Sequence, residues 1–145
     1  MTALVFVDTN VLVYTLDNRY PQKQTAAAAW REGLWKAARG RISYQVLQEC
    51  YAQLVRIWPD KRQEARAEIR DLLAWKPVPI DAAILERAWK LQDRFQLSFW
   101  DALIVAAAKS ASCSYLLTED LQAGQDLDGV LVVNPFKSNF ASLDT

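Results

Sequence analysis

Ala3-Leu4-Val5-Phe6-Val7-Asp8-Thr9-Asn10 opens the chain with an unbroken apolar run that stops at a carboxylate. Apolar residues without alternation are the pattern of a central parallel strand covered on both faces. The turn Asp8-Thr9-Asn10 then leads into a short helix over 11–16. In open α/β sheets, ligands bind beyond the carboxyl ends of the strands, where this reading puts Asp8. Helix capping by Asp8, Thr9 or Asn10 is the competing explanation. Capping alone does not account for a charge directly behind a buried strand.

Towards the other end of the chain, Ser114-Tyr115-Leu116-Leu117-Thr118 repeats the pattern and again ends in acid, at Glu119-Asp120. Gly129-Val130-Leu131-Val132-Val133 makes the last strand, before Asn134-Pro135-Phe136. Arg41-Ile42-Ser43 is a minimal strand, and Lys76-Pro77-Val78-Pro79-Ile80 is a short one whose two prolines argue for a sheet edge. The spacing predicts helices between them. One over 21–39 starts at Pro21 and stops at Gly40 as its C′ residue, with Trp30 and Leu34 on one face and Trp35 beside it. One over 44–58 puts Val46, Leu47, Cys50, Tyr51, Leu54 and Val55 on its apolar side and Glu49 on the flank shared with Gln45. Pro59-Asp60 starts a helix of mixed charge, usually a solvated face. Asp81 caps a helix reaching Phe95, with Ile84, Leu85, Ala88, Trp89 and Leu91 as core candidates. The stretch 121–128 reads as a polar, acidic loop. Strands alternating with helices call for an α/β layer architecture with a mostly parallel sheet of about five strands, in one domain spanning 1–145.

Leu97-Ser98-Phe99-Trp100-Asp101-Ala102-Leu103-Ile104-Val105-Ala106-Ala107-Ala108 places Asp101 on a helix that is otherwise apolar nearly all round. An isolated carboxylate buried there is costly unless it is paired, protonated or bound to a metal. Ser98 followed three places later by Asp101 also spells a capping box at the positive helix end. Both explanations stand on the residues alone.

Composition narrows the chemistry. At 145 residues and 52% hydrophobic, the chain is long and apolar enough for a real core. Seventeen basic residues balance seventeen acidic ones, so net charge gives no support for a nucleic-acid partner and does not exclude one. There is no histidine, which removes Ser-His-Asp and Cys-His catalysis and His-ligated zinc together. Any metal must be oxygen-ligated, which favours Mg²⁺ or Mn²⁺. Gathered carboxylates without basic partners repel one another unless a divalent cation neutralises them. Such an ion can activate water and stabilise the leaving oxygen in phosphodiester hydrolysis, with no histidine needed. Cys50 and Cys113 lie inside apolar helical patterns and read as buried, reduced thiols. Met1 to Val7 is too short for a signal peptide and no apolar stretch reaches membrane-spanning length, so a cytoplasmic protein without a membrane partner is expected.

The segments Phe6-Val7-Asp8-Thr9-Asn10-Val11-Leu12, Ser43-Tyr44-Gln45-Val46-Leu47-Gln48-Glu49, Leu97 to Ile104, and Leu116-Leu117-Thr118-Glu119-Asp120-Leu121 resemble the four motifs of the PIN-domain family. They closely resemble its VapC-type toxin branch, in the same order and over nearly the whole chain, and Val133-Asn134-Pro135-Phe136 is also similar. The resemblance implies an α/β/α sandwich and a metal-dependent ribonuclease using Mg²⁺ or Mn²⁺. Position by position, Asp8, Glu49, Asp101 and Asp120 match the family's acidic catalytic and metal-binding residues. Thr9, Asn10, Ser43, Ser98 and Thr118 match flanking polar positions that orient carboxylates or water. Glu119 rivals Asp120 for the fourth position; the spacing after Thr118 favours Asp120. The implied reaction cuts single-stranded or looped RNA and leaves a 5′-phosphate and a 3′-hydroxyl. The implied partners are the RNA substrate, a cognate antitoxin that covers the acidic groove, and a second copy in a homodimer. Trp30, Trp35 and Trp58 are candidates for those protein contacts, against core packing. Arg19, Lys61, Arg62 and Arg66 are candidates for RNA contact.

Three other readings compete. A haloacid-dehalogenase-like phosphatase would form an aspartyl phosphate on Asp8, but it requires an aspartate where Asn10 stands and a late lysine. A response-regulator receiver requires a lysine after its last strand, and Lys137 lies beyond Asn134-Pro135-Phe136. An inactive PIN-like module would only bind RNA or protein.

Overall fold

Val5, Phe6 and Val7 are all buried, because their strand, β1 (Leu4–Val7), lies inside a five-stranded sheet. The structure is a computed structural model, and it describes residues 2–143. The remaining strands are β2 (Gly40–Arg41), β3 (Cys113–Leu117), β4 (Asp126–Leu127) and β5 (Val130–Val133). Their spatial order is β2-β1-β3-β5-β4. β1 runs parallel to β2 and β3, β3 runs parallel to β5, and β4 alone is antiparallel. The chain leaves β1 for β2 on one side and returns to β3 on the other. Strand order therefore reverses between β1 and β3, the switch point at which open α/β sheets form their ligand crevice. Phe6 opposite Leu116 and Val7 opposite Leu117 set the register. The next residues, Asp8 and Thr118, thus emerge side by side.

Helices α1 (Thr9–Tyr14), α2 (Pro21–Lys36), α3 (Tyr44–Ile57), α4 (Arg62–Leu72), α5 (Ala82–Phe95) and α6 (Phe99–Ser110) flank this sheet. Ser43, Asp81 and Ser98 cap α3, α5 and α6, each side chain accepting from the amide three residues on. Residues 102–108 of α6 are all buried, since the helix lies between the sheet and α5. The architecture is α/β with a mostly parallel central sheet, as the alternation of apolar runs and helical periods implies. Among the described residues, no helix is long and apolar enough to cross a membrane. Cys50 and Cys113 are both buried free thiols.

The fifth strand is not the expected one. Of 76–80, only Val78 bridges the sheet, next to Ser43, with Val78 N–H donating to Ile42 O and its carbonyl accepting from Tyr44 N, both at 3.0 Å. Pro77 and Pro79 have no N–H to extend that ladder. β4 instead forms within the stretch expected to be a loop. Leu127 opposes Val130, and between them Asp128 (φ 56°) and Gly129 (φ 95°) take consecutive left-handed conformations. That is the two-residue hairpin turn favoured by Asp-Gly.

Other boundaries shift too. α2 ends at Lys36 rather than 39, and Ala38 (φ 55°), not Gly40, takes the left-handed turn after it. Gly40 belongs to β2, where a Cβ would lie 2.5 Å from the Trp75 ring. Gly40→Ala is therefore expected to cost about 1–3 kcal/mol through overpacking, read as a lower urea midpoint; an unchanged midpoint would contradict this contact. Pro59-Asp60 forms a turn, and α4 starts at Arg62. Trp30 is core at 2% exposure, whereas Trp35 and Trp89 stand 43% and 47% exposed, so Trp89 is not the core residue its helical period suggested.

Candidate active site

Asp8 caps α1 directly after β1, its Oδ1 accepting from Thr9 N at 2.8 Å. Its other oxygen accepts from the Thr118 hydroxyl at 2.9 Å and from Asn10 Nδ2 at 3.3 Å. Asn10 Nδ2 also reaches Thr118 Oγ1 at 3.1 Å and Asp120 Oδ2 at 3.0 Å. The Thr118 oxygen in turn accepts from Asp120 N at 3.1 Å. The ends of β1 and β3 are thereby locked together, with Asp8 buried and Asp120 exposed at the mouth.

Glu49 comes from the flank of α3. Its Oε2 accepts from the Thr9 hydroxyl at 3.1 Å and its Oε1 from Gln45 Nε2 at 2.9 Å. Asp101 sits in the first turn of α6, half-buried, and its N–H donates to Ser98 Oγ at 3.1 Å. The cap and the pocket are compatible, because the backbone serves Ser98 while the carboxylate feels Asp120 and Glu49. Burial pushes Asp8 up to about 6; hydrogen bonds from Thr118 and Thr9 oppose this, and the charges of Asp120 and Glu49 add to it. Burial also raises Asp101, against its Ser98 hydrogen bond and together with the Asp120 and Glu49 charges. The four carboxylates thus share one electrostatic neighbourhood. Among the described residues, no lysine or arginine forms an ion pair with any of them.

Glu119 faces elsewhere. It accepts from the Tyr14 hydroxyl at 2.7 Å and from Lys23 Nζ at 2.8 Å. Lys23 also lies 4.9 Å and 5.0 Å from the ring centres of Tyr14 and Phe136. The Asp120 side chain is on the Asn10–Thr118 network, which Glu119 joins only through its backbone N–H, donating to Asn10 Oδ1 at 3.5 Å. Ser43 is buried and caps α3 through Val46 N at 3.3 Å; among the described residues it bonds none of the four carboxylates. Periodicity did not single out Gln45, Tyr14 or Lys23. Gln45 stands one helical turn before Glu49, the spacing that brings side chains together, and it is buried rather than on a solvated flank.

The donors are all hard oxygens with uncompensated negative charge, which fits a divalent cation of the Mg²⁺ kind. Among the described residues, no group of three or more His, Cys, Asp or Glu side chains is gathered to hold a metal ion. Mg²⁺ keeps several waters and binds through one or two carboxylates, so it does not need such a group.

This fold and site define an α/β protein with a mostly parallel sheet and a cluster of carboxylates at its switch point. The family model for the PIN domain matches residues 5–125, and the chain belongs to the PIN-domain family. A toxin–antitoxin complex from Klebsiella pneumoniae is similar in structure, with TM-score 0.65 and 23% identity, over 90% of this chain and 97% of that one. VapBC2 from Rickettsia felis, bound to a DNA fragment from its promoter, gives 0.63 and 16% over 90% and 98%. VapC20 of Mycobacterium tuberculosis, a sarcin-ricin loop cleaving toxin, gives 0.55 and 22% over 77% and 86%. At these identities the likeness is one of fold. No curated protein gives a significant sequence match.

Proposed function

We propose that this chain, as one PIN-like unit over 1–145, is a metal-dependent endoribonuclease and the toxin of a toxin–antitoxin pair. The observation that carries this reading is the carboxylate neighbourhood at the switch point: Asp8 and Asp120 tied through Asn10 and Thr118, with the charges of Glu49 and Asp120 raising the cost of charge on both Asp8 and Asp101. Asp8 and Asp120 are the pair that would hold Mg²⁺ or Mn²⁺ directly, and Glu49 and Asp101 are the remaining carboxylates of the site, placed to accept from the ion's waters. When bound, the ion neutralises this charge, polarises the phosphate and activates water.

The chain's own residues do the positioning. Thr118 and Asn10 hold the Asp8 oxygen, Thr9 and Gln45 hold both oxygens of Glu49, and Ser98 fixes the first turn that carries Asp101. Groups fixed in this way lose little freedom when substrate binds. Hydrolysis forms a bond from the water oxygen to phosphorus and breaks the bond to the 3′ oxygen. That oxygen takes a proton, leaving a 5′-phosphate and a 3′-hydroxyl.

The solved relatives from Klebsiella and Rickettsia are toxin–antitoxin assemblies, which supports an antitoxin partner for this chain. Trp58 and Trp35 border two cavities of about 350 and 370 Å³ that share Leu16, openings suited to an apolar segment of a partner. Homodimer formation and a cytoplasmic site of action belong to the same reading. Incubating the purified protein with a structured RNA pool in Mg²⁺, Mn²⁺ or EDTA tests it. Cutting with 5′-phosphate ends that EDTA stops is expected. No cutting in either metal, or cutting indifferent to EDTA, would overturn it.

A further inference from the structure

Beside the acidic pocket, and sharing Asn10 with it, is a cavity of about 220 Å³ whose walls include Tyr14, Asp17, Arg19, Tyr20 and Arg56. Asp17 is only 2% exposed, and it grips Arg19 with two parallel bonds, Nε to Oδ1 at 2.9 Å and Nη2 to Oδ2 at 2.8 Å. The Arg19 backbone N–H adds a third at 3.1 Å. A guanidinium has five N–H donors, so this clamp fixes the fork while Nη1 stays unbonded among the described residues. The Arg19 side chain is 53% exposed. Its guanidinium lies 5.6 Å from the Tyr20 ring centre and 6.0 Å from that of Trp58. Tyr20 is itself 50% exposed. Arg56, in the last turn of α3, is exposed and forms no ion pair among the described residues.

We infer that this cavity is a nucleotide subsite for single-stranded RNA, taking the base next to the cut against Tyr20 and its phosphate on Arg19 and Arg56. The inference rests on the ribonuclease reading and names where its substrate is held. Four carboxylates repel a polyanion, so cationic contacts are needed within a nucleotide's length of them, and these arginines share the wall that Asn10 provides. A guanidinium can bind a phosphate on one edge while another is held; here Asp17 holds the Nε–Nη2 edge of Arg19 and so aims the open Nη1 edge in advance. An exposed tyrosine face accepts any base by stacking, which is how single strands are held without a sequence code. An ion pair serving stability alone would not need to leave its guanidinium open beside an unpaired arginine and a half-exposed ring that Tyr14 props edge-on at 5.9 Å.

The test measures binding of a fluorescein-labelled single-stranded RNA by anisotropy in EDTA, using the Asp101→Asn protein so that nothing is cut. Arg56→Ala and Tyr20→Ala in that background are each expected to weaken binding about tenfold. Arg56→Ala should also lower the salt dependence by about one charge. Arg87→Ala, an exposed arginine on α5, is expected to bind as the parent does. In otherwise wild-type protein with Mg²⁺, the first two changes should act mainly on KM. Tyr20→Phe, which keeps the ring, should restore binding. Equal affinity across all variants, with RNA still bound and cut, would overturn the subsite and leave the ribonuclease standing. A wild-type protein that neither binds nor cuts RNA would overturn both.

Discussion

Asp8→Asn is expected to abolish cleavage and, at the same time, to raise the melting temperature of the metal-free protein at neutral pH. Loss of a group that stabilises charge at the reacting phosphate typically costs 10²–10³-fold in rate, and about that much or more is expected here. The stability gain follows from the Asp8 carboxyl being pushed up to about 6 by burial and its acidic neighbours. An unfolded aspartate titrates near 3.9, so from about pH 4 to 6 the folded state holds the proton more tightly. Stability therefore falls as pH rises through that window and is flat above it. A carboxyl that gives up its proton roughly two pH units later when folded costs about 3 kcal/mol at neutral pH. Asparagine removes the charge but puts an NH₂ where one oxygen accepted, so either Thr9 N or the Thr118 hydroxyl and Asn10 Nδ2 lose an acceptor, and a net gain of about 1–2 kcal/mol, or roughly 3–8 °C, is expected. Melting curves of both proteins in EDTA from pH 4 to 8 decide it. Asp17, held below the usual carboxylate range by Arg19, acts in the opposite sense, and only where the pH falls below about 4. An unchanged pH slope in Asp8→Asn would show that the buried charge is not where the strain lies.

Trp30→Ala is expected to be the most damaging core substitution outside the site. Trp30 is 2% exposed, and its indole N–H is shared by the carbonyls of Pro135 and Ser138, each at 3.1 Å. Phe140 meets the ring edge-on at 6.0 Å and covers Gly33 on the same helix. The substitution removes the ring and the clamp on the segment that follows β5. Such losses cost about 3–5 kcal/mol, a large part of the stability of a typical domain. Trp30→Phe keeps most of the volume but orphans two carbonyls, for about 1–3 kcal/mol. Trp35→Ala, at an exposed ring, should cost under about 1 kcal/mol. Urea midpoints that rank the three differently would contradict this assignment of the clamp.

The strand ends were the most legible part of the chain. An apolar run that is buried on both faces and stops at a carboxylate can be read without partners, and Asp8 and Asp120 both follow such runs. Ser98 and Asp101 were legible as two competing roles, and the geometry accommodates both. Glu49 was not legible from periodicity, because a flank position becomes part of a pocket only when another helix brings its own residue, here Thr9, against it. Gln45 was hidden for the same reason. Lys23, Tyr14 and Glu119 meet across about a hundred residues of sequence, which no local pattern encodes. β4 differs in kind: Asp128-Gly129 did carry a hairpin signal, and the polar surroundings masked it. The 76–80 segment erred the other way, since apolar residues between prolines look like a strand but lack the donors to be one.

Whether the carboxylates at the switch point cut RNA with a divalent cation is decided by single-turnover cleavage of one RNA by wild type and Asp101→Asn in Mg²⁺, with EDTA as control. Asparagine keeps the shape of the residue, and the backbone bond to Ser98 is untouched, so the helix stays capped. Metal-dependent cutting by wild type, lost in a mutant whose melting temperature is no lower, is the predicted result. Cutting by both proteins at the same rate would contradict it.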